Sequence, residues 1–254
     1  MIRPLTSFLI ATALCTVAIS FLSAEKKETR TGLFRVELEK GSFYSCYVPK
    51  LNNPKDKYGV ILALHGAGGS PDHLVNGFIA KKVSKQSILD SMGWIGIFPK
   101  SLKETWYFEE TTPSDALEDV LQKYNVDRSR IHISGYSAGG FLAAYMAMQQ
   151  PDTFRSATVF AAFLSRVEQS VVKKNISKPI YTIVGETDHN RAGGEQAHKA
   201  TVELGARWNR LFVYSGYGHM FPFENTFERL KPWYDAIESG FDYPAEIDAA
   251  HKLV

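Results

Sequence analysis

Cysteine is scarce in this sequence. Only two of its 254 residues are cysteines, Cys15 and Cys46. Because we expect the N-terminal segment that holds Cys15 to be removed, Cys46 remains alone and no internal disulfide can form. Cys46 stands in an apolar, strand-like run, which predicts a buried and unreactive thiol. The fold must therefore be held by a hydrophobic core, which a chain of this length can supply.

A surplus of either charge is also lacking. The sequence has 29 basic and 27 acidic side chains, which gives a formal net charge of +2, and its basic residues cluster only in pairs. This balance gives no reason to expect nucleic acid or an anionic membrane as a partner. The sequence contains no HExxH motif and no paired His/Cys spacing that would predict a metal site. We therefore predict neither a metal nor a cofactor.

The N-terminus has the pattern of an export signal. Arg3 is followed by an uncharged stretch over residues 4–24 and then by charged residues at 25–28. A positive start, an apolar middle and small residues at its end predict a secretory signal peptide over residues 1–24. The alternative is an uncleaved membrane anchor, since the stretch is close to membrane-spanning length. We expect export to the periplasm or the extracellular space, with no stable membrane partner unless the segment is retained.

Neither repeats nor linker-like tracts divide the rest of the chain, so we expect a single domain over residues 25–254. Two β-type runs come first, and apolar runs then alternate with stretches of helical spacing. That order predicts an α/β fold with a mostly parallel eight-stranded sheet, an antiparallel N-terminal start and helices on both faces. The expected strands cover residues 33–38, 43–48, 60–64, 94–98, 131–134, 157–160, 180–184 and 211–214. The expected helices cover residues 72–89, 114–124, 138–149, 195–204 and 223–238.

Residues 135–139 read Gly-Tyr-Ser-Ala-Gly, which matches the pattern Gly-x-Ser-x-Gly between a strand-like run and an alanine-rich, helix-like run. In that setting the serine occupies a strained turn that exposes its hydroxyl above the edge of the sheet. The flanking glycines are needed because larger side chains would collide with the neighbouring strand and helix. Ser137 is therefore the candidate nucleophile, and the N–H of Ala138 is a candidate oxyanion donor at a helix N-terminus. The alternative is that Ser137 only caps the helix.

A glycine-rich segment, residues 65–70 (His-Gly-Ala-Gly-Gly-Ser), follows the third strand-like run. It does not fit a phosphate cradle, since Pro71 stands where a dinucleotide fingerprint needs its third glycine and the ending of a P-loop is absent. A flexible backbone here can instead turn an N–H towards a developing oxyanion. We expect Ala67 to supply this second donor, with Gly66 as the next candidate. His65 is expected to brace the loop rather than to act as a base.

A serine nucleophile needs a histidine base that a carboxylate orients. Of the seven histidines, His219 follows the last strand-like run, stands in a glycine-bearing loop and precedes the last helix. His189 is the runner-up. Asp188 comes a few residues after the seventh strand-like run and gives the order Ser, acid, His along the chain. Glu186, two residues earlier, is the alternative acid.

These segments resemble the α/β-hydrolase superfamily. The chain looks more narrowly like the secreted esterases that include polyhydroxybutyrate depolymerase-like and feruloyl-esterase-like enzymes. The resemblance implies an α/β-hydrolase catalytic domain with a serine at the turn, an acid after the seventh strand and a histidine after the eighth. On this sequence those positions are Ser137, Asp188 and His219. The residues that carry the resemblance are 63–69 (Ala-Leu-His-Gly-Ala-Gly-Gly), 126–131 (Val-Asp-Arg-Ser-Arg-Ile), 135–140 (Gly-Tyr-Ser-Ala-Gly-Gly) and 216–222 (Gly-Tyr-Gly-His-Met-Phe-Pro).

The residues and the resemblance together predict a serine esterase that cleaves small or polymer-attached esters through an acyl-enzyme. We expect Trp106, in the aromatic segment 105–108, and Tyr136, beside the candidate nucleophile, to contact the substrate. Two alternatives stay open. One is a peptidase of the prolyl-oligopeptidase type, which shares the catalytic fold. The other is an inactive protein of the same fold that binds a carbohydrate or a partner.

Overall fold

The computed structural model of the chain describes residues 28–79, 87–106, 109–221 and 226–240. The expected signal peptide, the aromatic residues at 107–108 and the proline at 222 lie outside the described residues. Within the described ranges, no helix is both long enough and apolar enough to cross a membrane.

A sheet of eight strands forms the centre of the described structure. Their spatial order is β1-β2-β4-β3-β5-β6-β7-β8, with β2 antiparallel to β1 and β4 and the pairs from β4 to β8 parallel. The predicted mostly parallel sheet with an antiparallel start is confirmed. The strands are β1 (Gly32–Glu37), β2 (Phe43–Val48), β3 (Tyr58–Leu64), β4 (Trp94–Pro99), β5 (Val126–Tyr136), β6 (Ser156–Phe160), β7 (Ile180–Gly185) and β8 (Arg210–Tyr214).

Helices cover both faces of this sheet, as predicted. One hydrophobic cluster joins one face to α3 and α4, and a second joins the opposite face to α1, α2 and α7. Every residue of β4 and β7 is buried, which explains why these strands read as continuous apolar runs. The helices are α1 (Pro71–Ile79), α2 (Ile88–Met92), α3 (Thr111–Lys123), α4 (Ala138–Gln149), α5 (Gln169–Lys174), α6 (Arg191–Glu203) and α7 (Thr226–Ser239), and a single 3₁₀ turn covers Glu39–Gly41.

Two helical regions differ from the expectation. The expected single helix over residues 72–89 is wrong, because Ser87 has extended backbone angles; α1 covers Pro71–Ile79 and α2 covers Ile88–Met92. Ser87 caps α2 by accepting the N–H of Asp90, and Gly93 ends it in the left-handed region with φ of 64°. α5 has no counterpart among the expected helices. None of its side chains is buried, so its sequence carries no apolar stripe.

Cys46 lies on β2 as a buried free cysteine. Burial raises the pKa of its thiol to about 12, so the group stays protonated at neutral pH. This environment is that of the unreactive core thiol predicted from the sequence.

The register of the parallel strands brings the candidate loops to one edge of the sheet. Leu64, the last residue of β3, is in register with Gly135 near the end of β5. Gly185, the last residue of β7, is in register with Tyr214, the last residue of β8. The loops that follow these four strands therefore leave the sheet side by side, at the edge where such folds bind ligands.

A buried polar network anchors α7 to the sheet. The indole N–H of Trp94 donates to Oε1 of Glu238 at 2.9 Å, and the guanidinium of Arg130 lies 2.9 Å from Oε2 of the same carboxylate. Nε2 of the fully buried His132 lies 3.3 Å from Oε1, and its ring stacks on Trp94 with centroids 4.5 Å apart. Burial lowers the pKa of His132, so the ring is neutral at physiological pH.

Candidate active site

Ser137 occupies a strained turn between β5 and α4. Its backbone angles are φ 52° and ψ −118°, in a region that residues other than glycine rarely adopt. Its N–H donates to the carbonyl oxygen of Phe160 at 2.8 Å, which ties the turn to the end of β6. Although Ser137 stands at the N-cap of α4, its side chain makes no capping hydrogen bond. The hydroxyl points elsewhere, which disfavours the alternative of a simple helix cap.

The two glycines of the turn stand where backbone segments approach most closely. A Cβ at Gly135 would lie 2.2 Å from the carbonyl oxygen of Gly139. A Cβ at Gly139 would lie 2.2 Å from the carbonyl oxygen of Leu64 on β3. Because these neighbours are backbone atoms, they cannot move aside as the end of a flexible side chain can. Only hydrogen fits at both positions, in agreement with the collision predicted from the sequence.

The imidazole of His219 lies between the hydroxyl of Ser137 and the carboxylate of Asp188. Its Nε2 is 2.8 Å from Oγ of Ser137, and its Nδ1 is 2.9 Å from Oδ1 of Asp188. A carboxylate can only accept a hydrogen bond, so Nδ1 carries the proton. Nε2 is thereby left with the lone pair that faces the hydroxyl. The structure thus brings together the three residues expected to act as nucleophile, base and acid.

The two candidate acids have different surroundings. The side chain of Asp188 is fully buried, and its Oδ1 also accepts the backbone N–H of Asn190 at 2.8 Å. Glu186 is exposed, and its carboxylate accepts the N–H of Gly216 at 2.9 Å and the hydroxyl of Ser215 at 3.0 Å. The hydrogen bond from Gly216, with that from Ser215, lowers the pKa of Glu186. Of the two, Asp188 is the acid that contacts the imidazole.

His65 is committed to the loop that it begins. Its Nδ1 donates to the carbonyl oxygen of Gly66 at 2.7 Å, and its Nε2 accepts the N–H of Ser101 at 3.3 Å. The residue is 1% exposed, and burial lowers its pKa to about 4, so the ring is neutral at physiological pH. With both nitrogens engaged, His65 has none available for general base catalysis. Its contacts are those of the expected brace.

The glycine-rich loop passes beside Ser137. A Cβ at Gly66 would lie 3.5 Å from Cβ of Ser137, which is van der Waals contact. Ala67 follows at the surface, and Ala138 is the first residue of α4. The segments that carry both expected oxyanion donors therefore flank the candidate nucleophile.

Two clefts open on either side of this centre. The larger, about 510 Å³, is bordered by Ser137, and the smaller, about 360 Å³, is bordered by His219 and residues 66–69. Ser137 and His219, which share a hydrogen bond, thus border different clefts. The large apolar side chains that line the larger cleft are Trp106, Phe141, Leu142, Tyr145 and Phe163.

Trp106 and Tyr136, the expected substrate contacts, each border one cleft, but their polar atoms are engaged elsewhere. The indole N–H of Trp106 donates to the carbonyl oxygen of His65 at 2.6 Å, and this side chain is almost fully buried. The hydroxyl of Tyr136 donates to the carbonyl oxygen of His219 at 2.9 Å. Burial, assisted by the charge of a nearby carboxylate, raises the pKa of Tyr136, so the hydroxyl remains a donor at neutral pH. Either residue can offer a substrate only the face or edge of its ring.

Phe141 and Phe163 face the larger cleft, and their rings meet edge to face with centroids 5.1 Å apart. Neither residue could be assigned to a binding site from the sequence. An apolar residue on a helix or after a strand is more often part of the core than of a binding site. No local pattern distinguishes the two cases, so only the packing reveals these residues.

Among the described residues, one set of side chains could hold a metal ion. Asp188, His189 and His219 each place one ligand atom within 4.8 Å of the others, and the rings of the two histidines lie 4.3 Å apart. In this arrangement the two nitrogens of His219 face Ser137 and Asp188. Both ring nitrogens of His219 are therefore already engaged by neighbouring side chains.

Comparison with known structures defines the class of the fold. A ferulic acid esterase superposes with a TM-score of 0.61 over 86% of this chain and 100% of its own, at 17% identity. This is an α/β-hydrolase fold, as the sequence predicted. The dienelactone hydrolase family matches residues 98–242, more than half of the chain. The chain belongs to the dienelactone hydrolase family.

Two curated relatives extend this result. An acetylxylan esterase from Coprinopsis cinerea is 23% identical over 74% of this chain and 54% of its own length. Feruloyl esterase B from Neurospora crassa is 23% identical over 75% of this chain and 68% of its own length. The predicted resemblance to feruloyl esterases is confirmed, and the chain spans about half the length of the first of these relatives.

Proposed function

We propose that this protein is a serine hydrolase that cleaves carboxylic ester bonds through an acyl-enzyme intermediate. The observation that carries the proposal is the hydrogen-bonded chain from Ser137 through His219 to the buried carboxylate of Asp188. The strained turn of the serine supports it, since strain of this kind persists mainly at functional sites. Membership of the dienelactone hydrolase family and the esterase names of the curated relatives support ester cleavage in particular.

In the proposed reaction, Nε2 of His219 takes the proton of Ser137 as Oγ attacks the ester carbonyl carbon. The carbonyl π electrons move to oxygen, where the N–H groups of Ala138 and Ala67 stabilise the negative charge. One such donor typically contributes about 3 kcal/mol to transition-state stabilisation. His219, oriented by Asp188, then gives its proton to the alcohol oxygen as the C–O bond breaks. A water molecule, deprotonated by His219, then attacks the acyl carbon; the bond from that carbon to Oγ of Ser137 breaks, His219 returns the proton to Oγ and the carboxylic acid leaves.

We assign one cleft to the alcohol part of the ester and the other to its acyl part, from the position of the proposed proton donor, His219. His219 must reach the alcohol oxygen as it leaves, so the alcohol lies towards the smaller cleft that His219 borders. The acyl group stays on Oγ of Ser137 and lies in the larger cleft, which the serine borders. A volume of about 510 Å³ and walls that include Phe141 and Phe163 suit a bulky acyl group better than acetate.

The names of the relatives suggest two acyl groups, acetyl and feruloyl, and the sequence resemblance adds hydroxybutyrate. We favour an aromatic acyl group of the feruloyl kind, because aromatic side chains line the larger cleft. The pattern over residues 1–24 supports export, which would bring the enzyme to polymer-attached esters. Mass spectrometry of the protein from its natural source tests this part, with a mature N-terminus after residue 24 as the expected result.

A hydrolysis screen tests the proposed activity. The purified protein is assayed with acetyl, butyryl, feruloyl and 3-hydroxybutyryl esters and with a peptide p-nitroanilide. Ester cleavage is expected, with the highest kcat/KM for the feruloyl ester. Cleavage of the amide without the esters would favour the peptidase alternative. Absence of any hydrolysis, together with failure of a fluorophosphonate to label Ser137, would favour the inactive binding protein.

A further inference from the structure

His219 stands on a loop that is exposed and glycine-containing at its start. Residues 215–218 include two glycines, and Gly216 adopts a left-handed conformation with φ of 75°. The loop begins with two exposed residues. Productive proton transfer needs the imidazole held to within about 0.5 Å of its ideal position. Tyr217 packs on the core with its ring 4.9 Å from that of Tyr214, so the exposed start of the loop is the part that depends on contacts from elsewhere.

Glu186 supplies two such contacts at the start of the loop. One of its oxygens, Oε2, accepts the N–H of Gly216 at 2.9 Å and the hydroxyl of Ser215 at 3.0 Å. The carboxylate of Glu186 is exposed and would be hydrated without protein partners. Burial therefore does not explain its two hydrogen bonds to the loop. Glu186 also precedes Asp188 by two positions, so a single short segment contacts the loop and carries the acid.

Contacts at two other points hold the same loop. The backbone N–H of Thr187, next to Glu186, donates to the carbonyl oxygen of Tyr217 at 3.0 Å. At the far end, the hydroxyl of Tyr136 donates to the carbonyl oxygen of His219 at 2.9 Å. The loop of the proposed base is thus tied to the segment of the proposed acid and to the residue beside the proposed nucleophile.

We propose that Glu186 is a positioning residue whose carboxylate fixes the turn at residues 215–216 and so keeps the imidazole of His219 between Ser137 and Asp188. The inference rests on the proposed function. It differs from the alternative in which Glu186 is the acid of the triad. Among the hydrogen bonds of the described residues, none joins its carboxylate to the imidazole, which donates to Asp188 instead.

Three variants test this role. Glu186→Ala removes both hydrogen bonds, whereas Glu186→Gln keeps a carbonyl oxygen that can accept the N–H of Gly216. Glu203→Ala is the matched control, because it removes an exposed carboxylate that pairs with Lys199 on α6 and does not contact the loop. Each protein is titrated with a fluorophosphonate, and kcat is expressed per labelled site, so that a loss of folded protein does not register as a loss of catalysis.

We expect kcat of Glu186→Ala to fall by about tenfold with KM little changed, since small displacements of catalytic groups slow the chemical step. Glu186→Gln and Glu203→Ala should stay within about threefold of wild type. The downfield proton resonance of Nδ1 of His219 should broaden in Glu186→Ala and remain sharp in the other two. Loss of folding stability alone would change neither kcat per site nor this resonance.

Two results would overturn the inference. The first is kcat of Glu186→Ala within twofold of wild type. The second is a loss of a thousandfold or more in Glu186→Ala and Glu186→Gln alike, which would make Glu186 the acid itself. Failure of the proposed function has a different signature. In that case the wild-type protein neither cleaves esters nor reacts with the fluorophosphonate.

Discussion

Asp188 and His219 meet through a hydrogen bond of 2.9 Å in which the carboxylate is fully buried while the imidazole reaches solvent. A buried carboxylate is unfavourable without a partner, and among the described residues no hydrogen-bond donor faces its second oxygen, Oδ2. The charge of Asp188 is therefore available to the imidazole. In the proposed reaction this carboxylate would stabilise the imidazolium that forms as Ser137 gives up its proton.

Replacing Asp188 by asparagine tests that arrangement. The amide can donate to Nδ1 of His219, which would force the proton onto Nε2 and leave no lone pair for the serine hydroxyl. We expect kcat for p-nitrophenyl acetate to fall by about 10³- to 10⁴-fold, with little change in melting temperature. A fall of less than tenfold would show that the acid has been wrongly assigned.

The close approach of β3 backbone atoms to Gly139 in the serine turn predicts that Gly139→Ala destabilises the fold. The new Cβ would stand 2.2 Å from the carbonyl oxygen of Leu64, so β3 and α4 would have to separate. We expect the free energy of unfolding in urea to fall by about 1–3 kcal/mol or more. Gly194→Ala on α6 is the control, because its nearest neighbours are side-chain atoms at 3.5 Å, an ordinary contact. If both variants unfold with the wild-type free energy, the packing at the turn has been misjudged.

The lowered pKa values of two buried histidines predict that the free energy of unfolding depends on pH. Burial lowers the pKa of His65 to about 4 and also lowers that of His132. Below pH of about 6.5 the unfolded chain binds more protons at these two positions than the folded chain does, so stability falls as the pH drops through this range. Each group contributes up to about 1.4 kcal/mol per pH unit.

Urea unfolding between pH 7.5 and 4.5 measures this slope. His65→Gln should unfold with a shallower pH dependence than the wild type, because one of the two groups no longer titrates. An unfolding free energy that does not change across this range would contradict the neutral, buried state of both rings.

The assignment of the acyl group to the larger cleft predicts a change of specificity in Phe163→Ala. Removal of this ring takes away one aromatic contact of a feruloyl group, worth roughly 0.5–1.5 kcal/mol beyond area burial. We expect kcat/KM for a feruloyl ester to fall by about tenfold, while that for p-nitrophenyl acetate changes by less than threefold. Leu164→Ala is the control, since Leu164 packs on the core and does not line the cleft. An unchanged ratio of the two rates would place the acyl group elsewhere.

The sequence predicts the fold well because the pattern that defines it is local. Apolar runs mark the strands, and α4 follows its turn residue directly. The register of β3 with β5 and of β7 with β8 then brings the loops of Ser137, Asp188 and His219 to one edge without further information. Each of these residues could therefore be chosen from its place after a strand.

The hydrogen bonds and ring contacts around the candidate catalytic residues could not be predicted in this way, because they depend on which loops meet in space. Tyr136 was expected to contact substrate, yet its hydroxyl holds the carbonyl of His219. Glu186 was considered as an acid, yet its carboxylate binds the loop at Gly216. Phe163 carries no signal at all, since its sequence neighbourhood is that of a core residue.

Hydrolysis of p-nitrophenyl acetate, measured for Ser137→Ala and for the wild-type protein, tests directly whether Ser137 is the nucleophile. We expect a fall in kcat of about 10⁴-fold or more, with circular dichroism and melting temperature preserved, and no labelling by a fluorophosphonate. Activity within tenfold of wild type, or labelling of the variant at another residue, would contradict the assignment of Ser137 as the nucleophile.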